Sequence, residues 1–249
     1  MELGAVGTAS SHLAHFAREL RGTARLTRAL PLPGDPPALP RGVRHCAAPA
    51  AFSEGLGGVL LLSRDGREHL EQARPFLEAG LAVFVDKPLA CDAASARELL
   101  ALGRVTSFST LRFLPEVAAL RAQQVPVTEV RTPADPASSY AGRWFLGIHG
   151  AELACALQPG LELRAVERHG ERLTLRLEGP QGPLALQLDP AADGFELRHA
   201  GGVLRLDDSA CYRYGARRLE AFFVQGVVPL TAEEMLAPVA LLETALRQV

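Results

Sequence analysis

The sequence predicts an α/β protein, with a doubly wound parallel sheet in residues 1–112 and a C-terminal α+β domain with a mainly antiparallel sheet in residues 113–249. In the first part, short apolar runs alternate with helical patterns, as in βαβ units. The runs 58–63 (GVLLLS) and 81–86 (LAVFVD) are almost wholly apolar, as in strands covered on both faces. In the second part, segments such as RLTLRLEG (172–179) alternate apolar and polar residues, which indicates strands with one free face.

The first domain is predicted from its strands, helices and one irregular loop. The predicted strands are residues 2–6, 24–30, 42–47, 58–63, 81–86 and 105–111. A helix over 67–80 ends at Gly80, and a second begins after the N-cap Asp92 and ends before Gly103. Five prolines between residues 31 and 40 exclude a helix there and predict an extended loop.

The second domain combines two helices, a run of strands and a closing helix. Helical patterns cover residues 115–124 and 143–157. The predicted strands are residues 161–170, 171–179, 183–189, 195–201 and 202–208. Thr231 and Glu234 form a capping-box pattern ahead of an apolar helical run that ends at residue 246.

Composition limits the class of protein. The 249 residues are 48% hydrophobic and 22% charged, as in soluble globular proteins, and the net charge of -2 without a basic run argues against nucleic acid as a partner. The four cysteines form no C-x-x-C pair, so we expect neither a zinc site nor a disulfide framework. The N-terminus lacks the features of a signal peptide and no apolar run has membrane-spanning length, so a cytoplasmic protein is expected.

The first strand leads into a turn of small residues and then a helix, in GAVGTASSHLAHFAREL (4–20). Dinucleotide sites use this arrangement because glycines let the backbone approach the pyrophosphate and the helix N-terminus offers unpaired N–H groups. The candidate cofactor-binding residues of this turn are Gly4, Gly7, Thr8, Ala9, Ser10 and His12. Counted from Gly7, Ala9 and His12 occupy the second and third glycine positions of G-x-G-x-x-G.

The acidic residue that would bind the adenosine ribose is missing from the end of the second strand. Thr27 and Arg28 lie there, and Asp35 follows beyond the first prolines. Arg28 would favour the 2'-phosphate of NADP, or it is a plain surface arginine.

Lys87 is the only lysine among 26 basic side chains and lies at the end of the fifth predicted strand. Ligands of open α/β sheets bind outside the carboxyl ends of the strands, which makes Lys87 a candidate reactive group. Pro88 restricts the backbone of Lys87 to an extended conformation. Burial would lower the pKa of Lys87 and Asp86 would raise it, and the sequence does not decide between them.

Four segments together resemble the glucose-fructose oxidoreductase and inositol dehydrogenase family (Gfo/Idh/MocA), of which this would be a divergent short member. The segments are AGLAVFVDKPLACDAASARELL (79–100), GAVGTASSH (4–12), GIHGAEL (147–153) and GVVPLTAEEMLAPVALLETAL (226–246). The resemblance implies a Rossmann domain that binds NAD or NADP and a C-terminal domain whose open sheet often forms the oligomer interface. It also implies hydride transfer between nicotinamide and a carbon that bears a hydroxyl or carbonyl.

The same resemblance implies that Lys87 contacts the substrate oxygen and that His149 is the general acid/base. Where the family has an Asp four residues before this His, the chain has Phe145. Glu152 lies on the same helix face as His149 and could orient the imidazole instead. Alternatively His149 and Glu152 are only a polar pair or a metal-ligand pair, although no further His/Cys cluster suggests a metal.

Further candidates complete the predicted site. Those for cofactor binding are Ser63, His69, Asp86, Lys87 and Pro88, and those for substrate binding are Arg112, Tyr140 and Arg143. For each substrate candidate, a surface ion pair or a place at the edge of the core is the alternative.

Two functions remain open from the sequence. The first is an NAD(P)-dependent oxidoreductase that acts on a CH–OH group of a small polyol, sugar or related hydroxy compound, as a homodimer or higher homo-oligomer through the C-terminal sheet. The second is a catalytically inactive ligand-binding or regulatory protein that retains the fold. The altered glycine turn, the missing ribose acid and Phe145 favour the second.

Overall fold

The computed structural model describes the backbone of residues 1–249 and all side chains except those of residues 49 and 50. Its first sheet is six-stranded and parallel, in the order β3-β2-β1-β4-β5-β6. The strands are β1 (Glu2–Val6), β2 (Arg25–Leu30), β3 (Arg44–His45), β4 (Gly58–Leu61), β5 (Ala82–Val85) and β6 (Val105–Ser107). The predicted doubly wound, Rossmann-like sheet is confirmed.

Helices flank this sheet, and of the four only α2 was not predicted from the sequence. They are α1 (His12–Glu19), α2 (Pro49–Ser53), α3 (His69–Glu78) and α4 (Ala93–Leu102). The side chain of Asp92 accepts a hydrogen bond of 2.7 Å from the backbone N–H of Ser95, so the predicted N-cap of α4 is confirmed. The strands β4 and β5 are buried along their whole length, as their apolar composition predicts.

Two predicted strands are shorter than expected. Of the strand predicted at 42–47, only Arg44 and His45 pair with β2. The extended proline-rich loop ahead of them reaches the edge of the sheet only at these two residues. The strand predicted at 105–111 ends at Ser107, and Thr110–Phe113 forms a 3₁₀-helix. The side chain of Ser109 accepts a hydrogen bond from the N–H of Leu111 at the start of this helix.

The second sheet has six strands in the order β12-β11-β7-β10-β9-β8. The strands are β7 (Val127–Pro133), β8 (Glu162–His169), β9 (Arg172–Gly179), β10 (Gly182–Asp189), β11 (Glu196–His199) and β12 (Gly202–Arg205). Neighbouring strands are antiparallel except β7 and β10, which are parallel, so the expectation of a mainly antiparallel sheet is confirmed. The strand β7 and the helix α7 (Cys211–Glu220) were not predicted.

One face of the second sheet is covered by helices. After α5 (Pro115–Ala122), the helix α6 (Trp144–Leu157) is buried along most of its length and contacts β7 and β10. At Gly150 a Cβ atom would collide with Thr132 and Leu186, so glycine is needed for this close approach. The opposite face carries ion pairs such as Arg131–Asp189 at 2.9 Å and Arg176–Glu167 at 2.8 Å.

The last helix, α8 (Ala232–Leu246), contacts both halves of the molecule. It lies against α6 and β8 of the second half and against α4 of the first. Glu243 accepts from the N–H of Ala93 at the start of α4 (3.0 Å). The predicted capping box of Thr231 and Glu234 is present. Among the described residues, no helix is both long and apolar enough to cross a membrane.

Candidate active site

A cavity of about 350 Å³ lies beside the carboxyl end of β5, between the first sheet and the helix α6. Its wall includes Lys87 from the first half, His149 from α6 and Tyr212 from α7. Lys87 and His149 are 62 positions apart in the sequence, yet both side chains reach this space. The convergence that the family resemblance implies therefore exists in the fold.

Lys87 is held by groups from the opposite wall. Its Nζ donates a hydrogen bond of 2.9 Å to the carbonyl oxygen of Phe145 and lies 4.4 Å from the centre of the Phe145 ring. Burial lowers the pKa of Lys87, in spite of the neighbouring carboxylate of Asp86. The competition that the sequence left open is thus decided by burial, which outweighs the carboxylate of Asp86.

His149 is oriented by a hydroxyl group rather than by a carboxylate. Its Nδ1 lies 2.7 Å from Oγ of Ser109, and its ring meets Phe195 edge-on with centroids 5.1 Å apart. Burial, with the positive charge of Lys87, lowers the pKa of His149 well below its ordinary value. His149 is therefore a neutral imidazole at neutral pH.

The expectation that Glu152 binds His149 is wrong. The carboxylate of Glu152 accepts from the backbone N–H of Ser109 (2.7 Å) and lies 3.5 Å from NH1 of Arg112. His149 and Glu152 are three residues apart on α6 and so lie on one face of the helix. Ser109, from the first half, bonds to both of them and so separates their side chains. Glu152 thus fixes the backbone of the residue whose hydroxyl orients His149.

Arg112 does not face the cavity as predicted for a substrate-binding residue. It is buried and lies between Glu152 and Glu234, with NH2 3.8 Å from Oε1 of Glu234. Removing either carboxylate would leave a buried charge without a full set of partners. Arg112 is therefore the cation of an ion-pair network between the two halves.

His12, in the place of the third glycine, lines both this cavity and a second one of about 210 Å³. Its Nδ1 lies 2.6 Å from Oδ2 of Asp86, the residue before Lys87. Burial alone would raise the pKa of Asp86, but the charge and hydrogen bond of His12, with the charge of Lys87, lower it to about 2. Asp86 is consequently an ionised carboxylate at neutral pH.

The turn before α1 has the geometry of an anion-binding turn. Gly7 has φ +86°, and a Cβ atom there would lie 2.8 Å from the backbone nitrogen of Ser63. In the described part of the chain, the N–H groups of Ala9, Ser10 and Ser11 have no hydrogen-bond partner. These residues form one wall of the 210 Å³ cavity.

The proline-rich loop places the side chain of Asp35 against this turn. Oδ2 of Asp35 accepts from the N–H of Thr8 (2.5 Å) and from the N–H of Leu32 (2.9 Å). Its Oδ1 has no hydrogen-bond partner among the described residues, and Asp35 lies in the wall of a third cavity, of about 280 Å³. Asp65 and Glu68 lie in the same wall together with Arg64, so carboxylates outnumber the one guanidinium there.

Arg28 lies away from this region. Its guanidinium donates to the carbonyl oxygen of Glu54 (2.5 Å) and pairs with Glu2 (3.0 Å). These contacts support the alternative that Arg28 is a plain surface arginine rather than a ligand of a 2'-phosphate.

Other predicted cofactor residues have structural roles. Gly4 lies inside β1, where a Cβ atom would collide with Phe52, so it does not reach the turn. His69 is buried, and its Nδ1 lies 2.7 Å from the carbonyl oxygen of Pro88 while its Nε2 lies 3.2 Å from that of Ser63. Burial lowers the pKa of His69, so this neutral ring joins the loops that follow β4 and β5.

Tyr140 and Arg143 differ in their positions. The Tyr140 ring lies under the guanidinium of Arg64, 4.2 Å from its centre, and borders the 280 Å³ cavity. Arg143 donates to the carbonyl oxygen of Glu171 (2.5 Å) and is a surface contact of the second half, not a group of the cavity.

Sequence reasoning missed three residues that matter here: Ser109, Arg64 and Tyr212. Arg64 lies in the wall of the 210 Å³ cavity together with Lys87. Tyr212 stacks on His15 with centroids 4.2 Å apart and meets His12 edge-on at 5.0 Å. Each contact joins segments distant in sequence, so no local pattern could indicate them.

The residues present fit a dinucleotide. The free N–H groups of the turn, with Arg64 in the wall of the same cavity, suit a pyrophosphate, and Oδ1 of Asp35 suits a ribose hydroxyl. His12 adds a side chain where the pattern has a third glycine, and its imidazole lies against Asp86.

Comparison with solved structures shows which class of fold this is. The chain has the two-domain fold of Gfo/Idh/MocA-type dehydrogenases. No protein-family model matches the sequence, and no curated protein matches it.

Three solved structures illustrate the likeness. The WlbA (WbpB) dehydrogenase from Thermus thermophilus, in complex with NAD and alpha-ketoglutarate, has a TM-score of 0.73 at 15% identity, over 98% of this chain and 94% of that one. A putative myo-inositol dehydrogenase from Sinorhizobium meliloti 1021 has a TM-score of 0.73 at 20% identity, over 100% and 97%. Biliverdin reductase from Synechocystis sp. PCC 6803, in complex with biliverdin and NADP+, has a TM-score of 0.70 at 13% identity, over 99% and 98%.

Proposed function

We propose that this protein is an NAD(P)-dependent oxidoreductase that transfers a hydride between nicotinamide and a carbon bearing a hydroxyl or carbonyl. The observation that carries the proposal is the convergence of Lys87 and His149 on one cavity, adjacent to a cavity lined by free N–H groups of the glycine turn. Solved structures of this fold include complexes with NAD and with NADP+, which supports the same cofactor class here.

The residues would divide the work as follows. A bound nicotinamide dinucleotide would supply the acceptor or donor of the hydride. Lys87, released from the carbonyl oxygen of Phe145, would hydrogen-bond the substrate oxygen and stabilise negative charge on it. An imidazole in the wall would exchange the accompanying proton, and the family resemblance assigns that role to His149.

The lining of the cavity supports a small hydroxylated substrate. Asp193, Asp208 and Thr110 offer oxygen acceptors for hydroxyl groups, while Phe195 and Leu146 offer apolar surface for the carbon skeleton. A volume of about 350 Å³ suits a single polyol or sugar unit. We also propose that the protein forms a homo-oligomer through the face of the second sheet that is not covered by helices and that carries the ion pairs described above.

The first experiment is calorimetry with NAD, NADH, NADP and NADPH. Binding of at least one of them below roughly 1 mM, which corresponds to about -4 kcal/mol, is expected. If none of the four binds, the proposal is refuted.

The second experiment is the Lys87→Arg variant, assayed with polyols and sugars under conditions in which the wild type turns over. The guanidinium keeps the charge but is a planar fork that stays protonated, so we expect turnover to be lost while cofactor affinity is retained. Arg74→Lys, on the surface of α3 where Arg74 pairs with Glu98, is the matched control and should change neither property. Unchanged turnover in Lys87→Arg would remove Lys87 from the mechanism.

A further inference from the structure

The wall of the main cavity contains two imidazoles, and they differ in their partners. His149 is bonded to the hydroxyl of Ser109, and His12 to the carboxylate of Asp86. A carboxylate only accepts hydrogen bonds, so Nδ1 of neutral His12 must carry the proton and its Nε2 has a free lone pair. No hydrogen-bond partner of this Nε2 is found in the described chain.

His149 is poorly placed to become a cation. It is deeply buried, its one side-chain hydrogen bond is to a neutral hydroxyl, and Lys87 is close enough to repel a second positive charge. His12 is more open, with 17% of its side chain exposed, and the imidazolium that forms on proton uptake would rest against an ionised carboxylate. A carboxylate behind an imidazole both fixes the tautomer and stabilises the imidazolium.

We infer that His12 and Asp86 form the couple that takes up the substrate proton in the oxidation direction and returns it in the reduction direction. This inference rests on the proposed function and assigns a role to a residue that stands where a glycine is expected. His12 is the catalytic residue of the couple, Asp86 is a positioning residue, and His149 serves as a neutral hydrogen-bonding group.

The step balances with NAD(P)+ as the oxidant. The hydroxyl proton passes from the substrate oxygen to Nε2 of His12, and the O–H electron pair becomes the second C–O bond. The hydrogen on the same carbon leaves with its electron pair to the nicotinamide. The products are a carbonyl compound, the reduced dinucleotide and an imidazolium paired with Asp86.

The first test is independent of turnover. Long-range ¹H–¹⁵N spectra of ¹⁵N-histidine-labelled protein show which ring nitrogen is protonated, and the His12→Gln variant identifies the His12 signals. At a pH where the ring is neutral, we expect the proton on Nδ1, and a mixture of tautomers in Asp86→Asn. Asp208→Asn, which changes a carboxylate of the same wall without a bond to His12, is the control. A proton on Nε2 in the wild type would overturn the inference.

The second test separates this inference from the proposed function. NADH binding is followed by fluorescence, and turnover by absorbance, in His12→Gln, in His149→Gln and in the control His169→Gln, whose imidazole is exposed on β8. We expect His12→Gln to bind NADH and to lose roughly 10²–10⁴-fold in kcat, and His149→Gln to lose less. A larger loss in His149→Gln would overturn the role of His12 and leave the oxidoreductase standing. Failure of the wild type to bind either NADH or NADPH would instead refute the proposed function, and this inference with it.

Discussion

Asp86 gives a pH-dependent contribution to stability whose size follows from its surroundings. Its pKa lies at about 2 in the fold, against an ordinary value of 3.8, because the charge and hydrogen bond of His12 outweigh burial. At about 1.4 kcal/mol per pH unit, that lowering stabilises the fold by about 2 kcal/mol. The contribution is fully present above the ordinary value and is lost as the pH falls through 2.

The assay is urea unfolding of the wild type and of Asp86→Asn between pH 6 and pH 2. Trp144, the only tryptophan, is 8% exposed in α6 and reports unfolding by fluorescence. The asparagine cannot ionise, so the free energy of unfolding of the wild type should fall by about 2 kcal/mol more than that of the variant as the pH decreases.

A matched control distinguishes this buried pair from a surface pair. Asp193 also pairs with a cation, Arg205, at 2.8 Å, but its side chain is 79% exposed. In Asp193→Asn the free energy of unfolding should follow that of the wild type at every pH, because solvent screens an exposed ion pair. Parallel pH profiles for the wild type and Asp86→Asn would refute the reasoning, since they would mean that the carboxylate gains nothing from His12 in the fold.

Two further predictions concern the other side chains of the site. Ser109→Ala leaves the buried Nδ1 of His149 without its partner, so we expect the free energy of unfolding in urea to fall by about 1–3 kcal/mol. The exposed Ser209→Ala is the control and should not change it. Equal stability of the two variants would contradict the assigned hydrogen bond. In the wall of the 280 Å³ cavity the carboxylates of Asp35, Asp65 and Glu68 outnumber the one guanidinium, that of Arg64, so the net charge there repels a 2'-phosphate. Fluorescence titration should therefore show NADH binding roughly tenfold tighter than NADPH, with a smaller ratio in Asp35→Asn. Tighter binding of NADPH to the wild type would contradict this electrostatic argument.

The first sheet was predictable because its signals are local. The strands β4 and β5 are apolar throughout, and Asp92 and Gly103 mark the ends of α4. The strand β7 was missed because its buried residues Val127 and Val130 are three apart, which breaks the alternation of a strand. The structure explains this spacing by a register shift opposite Arg198 and His199.

The helix α7 was missed for a different reason. Its buried face consists mostly of small residues, and Gly215 lies so close to Thr110 that a Cβ atom would collide with it. A helix that packs through small residues shows no stripe of large apolar side chains, although its polar residues repeat at the helical period.

The site was only partly predictable. Lys87 and the glycine turn could be found because the chemistry of strand ends and turns is encoded locally. The partners of the reactive groups could not be found, since Ser109 lies 40 positions from His149 and Asp86 lies 74 from His12. Because Phe145 replaces the expected Asp, the sequence suggested that no carboxylate pairs with an imidazole in the site. In the structure the carboxylate of Asp86 lies against the imidazole of His12.

The position of α8 has a consequence for the independence of the two halves. Because this last helix contacts α4 as well as α6, and Glu243 accepts from the N–H of Ala93, the first half is completed by sequence from the end of the chain. Residues 1–112 expressed alone would therefore leave the surface of α4 that faces α8 exposed to water.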